Sequence, residues 1–177
     1  VTQLILENSF RSVLDEVNAL LEEGHQLYVI CAAVDENEAF KARDVNKMYV
    51  NLSKLFYPRK VGMLHGQMSS DEKQSVMDAF AKNEIQILVS TTVVEVGMNV
   101  VNATGMIIYD ADRFGLSQLH QLRGRIQRGN AVGKCWLLTD NKSEDVKERL
   151  NVLVKTTNGF EISYEDLRLR GPGDILG

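Results

Sequence analysis

Proline is nearly absent from this chain, with two residues in 177, as are cysteine, also two, and tryptophan, one. So little proline excludes a proline-rich linker. Two cysteines cannot build a disulfide framework, and no cysteine or histidine spacing suits a metal. Cys31 and Cys135 both fall in apolar, strand-like runs, which predicts free buried thiols in a reducing compartment. No apolar run approaches the ~20 residues that span a bilayer, so no membrane association is expected. No leader with a basic start and an apolar middle opens the chain. Positive charge is not in excess either, since the formal net charge is −4 and the pI about 5.4. That balance excludes a strongly basic coat for nucleic acid but leaves room for a local basic stripe. Also missing are a glycine-rich loop of the form G-x-x-x-x-G-K-[ST] and an Asp-Glu pair placed for Mg²⁺. A complete nucleotide-hydrolysing site is thereby excluded.

The residues that are present, 44% hydrophobic and 25% charged, suit one ordinary domain with a full core. Phe10, Val13, Leu14, Val17, Leu20 and Leu21 recur at helical spacing, with Gly24 as a stop. Leu27 to Val34 is a continuous apolar run, expected as a buried strand with Tyr28 and Cys31 in the core. A helix is expected between Asp35 and Phe56, ended by Pro58, and then a strand from Val61 to Leu64. Ser69 and Glu72 make a capping box for a helix with Val76, Met77 and Phe80 on its apolar face. Further strands are expected at Ile85 to Val89, Met106 to Tyr109 and Cys135 to Leu138. After Asp140 the spacing of Val146, Leu150, Leu153 and Val154 suggests one helix, and Tyr164 to Leu169 a second. Strands alternating with helices predict an α/β fold, a parallel sheet with helices on both faces. Right-handed crossovers then gather the loops after the strands on one edge, where such sheets bind ligands.

Two stretches carry chemistry. In the first, the run Ile87-Leu88-Val89 breaks into Ser90, Thr91 and Thr92, followed by Glu95, Gly97 and Asn99. Hydroxyls and free backbone amides just past a strand end can hold a phosphate, and the same hydroxyls would equally cap a following helix. The second stretch is Gln121-Leu122-Arg123-Gly124-Arg125-Ile126-Gln127-Arg128. Guanidinium is planar and forked, so it meets phosphate oxygens bidentately. On a helix, Arg125 and Arg128 would project from one face towards one anion, and Gly124 would let another surface come close. The pattern suits an arginine finger, which neutralises charge on a transferring phosphate. An ordinary solvated basic face is the alternative.

These stretches resemble the second motor domain of a superfamily 2 helicase, and specifically the RecG family of bacterial ATP-dependent DNA helicases. Thr91 to Val100 is similar to helicase motif V and Gln121 to Arg128 to motif VI. The link from Asp110 to His120 (DADRFGLSQLH) is similar in RecG and in the transcription-repair coupling factor. The run from Thr156 to Ile162 and the ending Arg168-Leu169-Arg170-Gly171-Pro172-Gly173-Asp174 resemble the RecG version more closely. The resemblance implies a RecA-like domain over residues 1–142 and a helical appendage over 143–177 that couples motor closure to DNA movement. It further implies catalytic roles for Arg125 and Arg128, and ATP contacts through Gln121, Gly124, Gly97 and Asn99. DNA contacts would come from His65, Gly66, Ser90 and Thr91, and coupling from Arg168 and Arg170. ATP and Mg²⁺ would be held mainly by a first motor domain that this chain lacks. The implied partners are branched DNA and the first motor and wedge domains of the same full-length chain, in a bacterial cytoplasm. Val1 at the start and Gly177 just after a motif lead us to expect a fragment.

Three positions depart from the family pattern: Asn99 where Asp is common, Val101 where Pro is usual, and Gln127 where Gly is usual. The last bears on the geometry of motif VI while leaving both arginines in place. The coupling factor's motor domain is the rival within the class. A non-catalytic α/β module that binds DNA or protein through Arg168 and Arg170 is the rival outside it.

Overall fold

Six short apolar runs pair into one parallel sheet. The computed structural model describes residues 2–6, 10–31, 38–91, 100–126 and 133–170, the side chains of 6, 10, 38–44 and 170 apart. The strands are β1 (Thr2–Leu6), β2 (Gln26–Cys31), β3 (Val61–Leu64), β4 (Ile87–Thr91), β5 (Ala103–Ile108) and β6 (Lys134–Thr139). They lie in the order β1-β6-β5-β2-β4-β3. The helices are α1 (Phe10–Glu22), α2 (Glu38–Leu55), α3 (Ser70–Ala81), α4 (Leu116–Arg123), α5 (Glu144–Lys155) and α6 (Gly159–Arg170).

Central β2 is buried along its whole length, which is why its run is continuously apolar rather than alternating. Its side chains nevertheless divide between the faces, as the two-residue repeat of a strand requires. Leu27, Val29 and Cys31 join Val13 and Val17 of α1 and Val45 and Leu52 of α2. Tyr28 and Ile30 join Met77 and Phe80 of α3 on the opposite face, with Leu116 and Leu119 of α4. Leu150, Leu153 and Ile162 of the terminal helices belong to that same cluster. The helical pair therefore shares the core of the sheet.

Local signals account for several element ends. Gly24 follows α1 at φ +91, a left-handed conformation that glycine adopts without strain. Ser69 Oγ accepts the Glu72 amide at the start of α3, and Asn158 Oδ1 accepts the amides of Phe160 and Glu161 at the start of α6.

Two strands differ from expectation. β1 pairs in parallel with β6, Thr2 opposite Cys135; five residues carry too little pattern to announce such a pairing. β4 begins at Ile87 because the turn after α3 consumes the residues before it, with the amides of Glu84 and Ile85 both donating to Ala79 O. Ser90 and Thr91 consequently end the strand instead of following it. Residues 32–34 of the expected second strand lie outside the described residues.

Candidate functional site

Parallel strands put all their carboxyl ends on one edge of the sheet, and the candidate residues gather there. β3 lies beside β4 with Leu64 opposite Ser90, so the His65–Gly66 turn adjoins the end of β4. His65 is half-buried and organises that turn: its Nδ1 accepts the Gln67 amide at 3.3 Å and its carbonyl accepts the Met68 amide at 3.2 Å. Gly66 is left exposed at the tip.

Ser90 and Thr91 are not open to an incoming phosphate. They are 0% and 2% exposed, and Ser90 Oγ donates to Thr91 O at 3.2 Å. Thr91 Oγ1 is buried with no hydrogen-bond partner. The expectation that Ser90 and Thr91 lie just past the strand end is thus corrected, because β4 extends through both; Thr92 lies outside the described residues. Gly97, Asn99 and Glu95 lie outside the described residues.

Arg125 also differs from its expected setting on a helix. α4 stops at Arg123, and Gly124 to Ile126 form a turn in which the Arg125 amide donates to Leu122 O at 3.0 Å and the Ile126 amide to Arg123 O at 3.1 Å. Arg125 therefore projects from a turn beyond α4, and Gln127 and Arg128 lie outside the described residues. Gly133, just ahead of β6, presses on this turn: a Cβ there would stand 2.6 Å from Ile126 O. Gly124 is right-handed, at φ −59 and ψ −22, so its backbone does not demand glycine. Gln121 is exposed on α4, and Arg125 is half-buried. Arg125 shares a cavity of about 10 Å³ with Tyr28, Met77, Ser90 and Thr91. The geometry thus joins the end of β4 to the motif VI turn.

Charge elsewhere is committed to structure. Arg123, inside the expected basic patch, is 2% exposed. Its Nη1 donates to Leu153 O at 2.5 Å and Thr2 Oγ1 at 3.3 Å, and Nη2 to Thr156 O at 3.0 Å. Burial lowers its pKa. This latch from α4 to the end of α5 went unread in the sequence, where one arginine among several gives no sign of which is buried. His120 lies nearby, its pKa lowered by burial first and then by the charge of Arg123. Arg149 donates to Asp112 O and, at 2.5 Å, to Phe114 O, fastening α5 to the 3₁₀ turn Ala111–Arg113. Arg168 is bound to Glu165 at 2.6 Å and Glu148 at 3.0 Å, and the hydrogen bonds it donates to those carboxylates, Glu165 foremost, raise its pKa. The Arg170 side chain lies outside the described residues.

Among the described residues no group of three or more His, Cys, Asp or Glu comes together as metal ligands would. No described helix is long and apolar enough to cross a membrane.

Residues 9–130 match the model of the helicase conserved C-terminal domain. The chain is 52% identical over 166 residues to the ATP-dependent DNA helicase RecG of Bacillus subtilis, covering 93% of this chain and 24% of that protein. It is 46% identical over 178 residues to RecG of Staphylococcus aureus, covering 100% of this chain and 26% of that protein. The structure of RecG bound to a three-way DNA junction superposes with a TM-score of 0.81 at 38% identity, over 98% of this chain and 22% of the RecG chain. The chain spans about a quarter of the length of the curated relatives it matches.

Proposed function

We propose, since this chain belongs to the helicase conserved C-terminal domain family, that it serves as the second RecA-like motor domain of an ATP-dependent helicase acting on branched DNA. The observation that carries the reading is the placing of Arg125 on a turn at the carboxyl edge of the sheet, beside the end of β4. A guanidinium there, next to an exposed Gln121 and a glycine without a side chain, suits an anionic phosphate presented by a second domain. These residues fit one half of a nucleotide site. ATP supplies the phosphoanhydride bond when bound, and a first motor domain holds its phosphates and Mg²⁺. This chain's part is to bring Arg125 and Arg128 to the outermost phosphate as the two domains close, neutralising the charge that develops there. In this reading its contacts to ATP are Gln121, Gly124, Gly97 and Asn99.

DNA is met in this reading at the backbone of His65 and Gly66, whose turn stands exposed on the same edge. Contacts of that kind position a strand without reading its sequence. The segment 143–177 forms the appendage that couples closure to DNA movement, and the buried Arg123 latch gives it a physical link to α4. A cytoplasmic setting belongs to the same proposal and agrees with two buried free thiols. A DNA-binding module built on Arg168 is disfavoured, because Glu148 and Glu165 already occupy that guanidinium.

The test uses full-length protein with DNA-stimulated ATP hydrolysis as the readout. Arg125→Ala and Arg128→Ala should each lower kcat by at least ~10²-fold, a conservative share of the finger effect. Lys134→Ala, an exposed residue off the motif, should leave turnover within about twofold of normal. Normal turnover in Arg125→Ala and Arg128→Ala would sink the finger assignment. Equal losses in all three would point to a general basic patch instead.

A further inference from the structure

Arg125 leaves the chain from the turn beyond α4, where no helical register sets the direction of its side chain. Its aim must come from the surface against which the side chain lies. That surface is the end of the sheet, where Arg125 shares one small cavity with Tyr28 of β2, Met77 of α3 and Ser90 of β4. Tyr28 and Met77, 4% and 1% exposed, offer an apolar bed for the methylenes of a long cationic side chain. Hydroxyls reach this lining from Tyr28, Ser90 and Thr91. Along β4, Ile87 and Val89 turn to the α1–α2 face with Thr91 in step, whereas Leu88 and Ser90 turn to the face of α3 and α4. Thr91 thus contributes to the cavity wall from the strand end, with its side chain in step with the opposite face.

Ser90 Oγ gives its proton to Thr91 O, which leaves the hydroxyl oxygen with lone pairs to accept. A wholly buried serine among mainly apolar neighbours is better replaced by alanine unless that acceptor is used. At about 10 Å³ the cavity is at the threshold for a single water, so the oxygen can meet a guanidinium N–H directly or through one bridge. We infer that Ser90 is a positioning residue for Arg125, its hydroxyl setting where the finger rests at the end of β4. The inference rests on the finger reading of Arg125. It makes the end of the motif V strand a brace for motif VI rather than a contact for DNA phosphate.

Ser90→Ala, Ser90→Thr, Arg125→Ala and the double variant Ser90→Ala/Arg125→Ala would be made in full-length protein. The readouts are kcat and KM for ATP in DNA-stimulated hydrolysis, the thermal midpoint, and equilibrium binding of a fluorescent three-way DNA junction without nucleotide. Ser90→Ala should lower kcat about tenfold, within the ~10²-fold that a misplacement of about 1 Å can cost. Its KM, its junction affinity and its thermal midpoint should stay close to those of the unmodified protein. Ser90→Thr, which keeps the hydroxyl, should recover most of the turnover. The double variant should be no slower than Arg125→Ala, since the serine acts only through the arginine. Normal kcat in Ser90→Ala beside a slow Arg125→Ala overturns this inference and spares the finger. Normal turnover in Arg125→Ala removes the finger reading itself. Weakened junction binding in Ser90→Ala, with unchanged kcat at saturating DNA, would return Ser90 to the DNA and also overturn it.

Discussion

At the scale of single residues, neighbouring positions of one motif do unlike work. Arg123 and Arg125 are two residues apart, yet one is buried among backbone carbonyls and the other reaches the sheet edge. Replacing Arg123 by alanine would leave Leu153 O and Thr156 O without their donor, costing roughly 3–6 kcal/mol, since bonds from a charged group are worth ~1.5–3 each. A urea titration of the chain should show this as a lower midpoint. Lysine should not restore it, because a single ammonium lacks the guanidinium's planar fork of donors. Gly124 makes the opposite prediction. Its right-handed backbone accepts alanine, and the added Cβ would stand 3.3 Å from Gln121 O, a contact relieved by a small shift. Gly124→Ala should therefore hold the stability or raise it by up to ~0.4–1 kcal/mol through the unfolded chain, read as an unchanged or slightly higher melting temperature. If another surface approaches there, kcat should fall all the same. Lost stability with normal turnover would assign that glycine to the fold.

At the scale of elements, the motif VI helix is held by its neighbours more than by its own length. Eight residues make a short α4, marginal alone, and it is fixed by α5 and α6 through Arg123 and the shared core. Asn158 starts α6 by accepting two amides. Asn158→Ala should cost about 1 kcal/mol and speed amide exchange in the first turn of α6 before any change reaches the sheet. Gly159 packs beneath His120, whose Nε2 would be 3.3 Å from an added Cβ; a larger side chain there should push α6 from α4. Arg168 braces α6 to α5 through Glu148. If the pair couples closure to movement, Arg168→Ala should depress unwinding of a forked DNA more than hydrolysis of ATP. Equal depression of both would count against a coupling role.

At the scale of the whole molecule, the chain has one described core in two layers, with α5 and α6 closing the same face as α3 and α4. The lack of a phosphate loop predicts that the chain alone hydrolyses no ATP, with or without DNA. Turnover from pure chain would refute the half-site reading. The core also makes a pH prediction. Burial pushes the Cys135 thiol from the ordinary 9.0 up to about 12, so the folded chain keeps this proton after the unfolded chain has released it. The stability due to this group is complete below pH about 9 and declines as pH rises towards 12. Chemical melts across that window should show the decline in the unmodified chain and less of it in Cys135→Ala. A thiol reagent at neutral pH should label Cys31 and Cys135 only on unfolding, since both are buried.

The alternation of strands and helices, the stop at Gly24, the Ser69 cap and the packing of Tyr28, Met77 and Phe80 were all legible in the chain, because each depends on spacing or on contacts a few residues apart. So was the likeness of 121–128 to motif VI, since that rests on residue types in fixed order. β1 was not legible, because its partner β6 lies more than a hundred residues away. Both ends of β4 were misplaced by two residues, because a turn bonded to Ala79 decides where the strand begins and pairing with β2 through Cys31 and Thr91 decides where it ends. Arg125 was expected on a helix, and spacing cannot show that Gly133 packs against the turn at Ile126. Tertiary contacts also decided between arginines of identical chemistry: Arg123 is a latch to α5, Arg168 a brace between α6 and α5, and Arg125 lies at the sheet edge beside the end of β4. Residue order determined which groups this chain owns, and the packing of β1, α5 and α6 around α4 decided where they point, because direction depends on contacts between segments far apart in the chain.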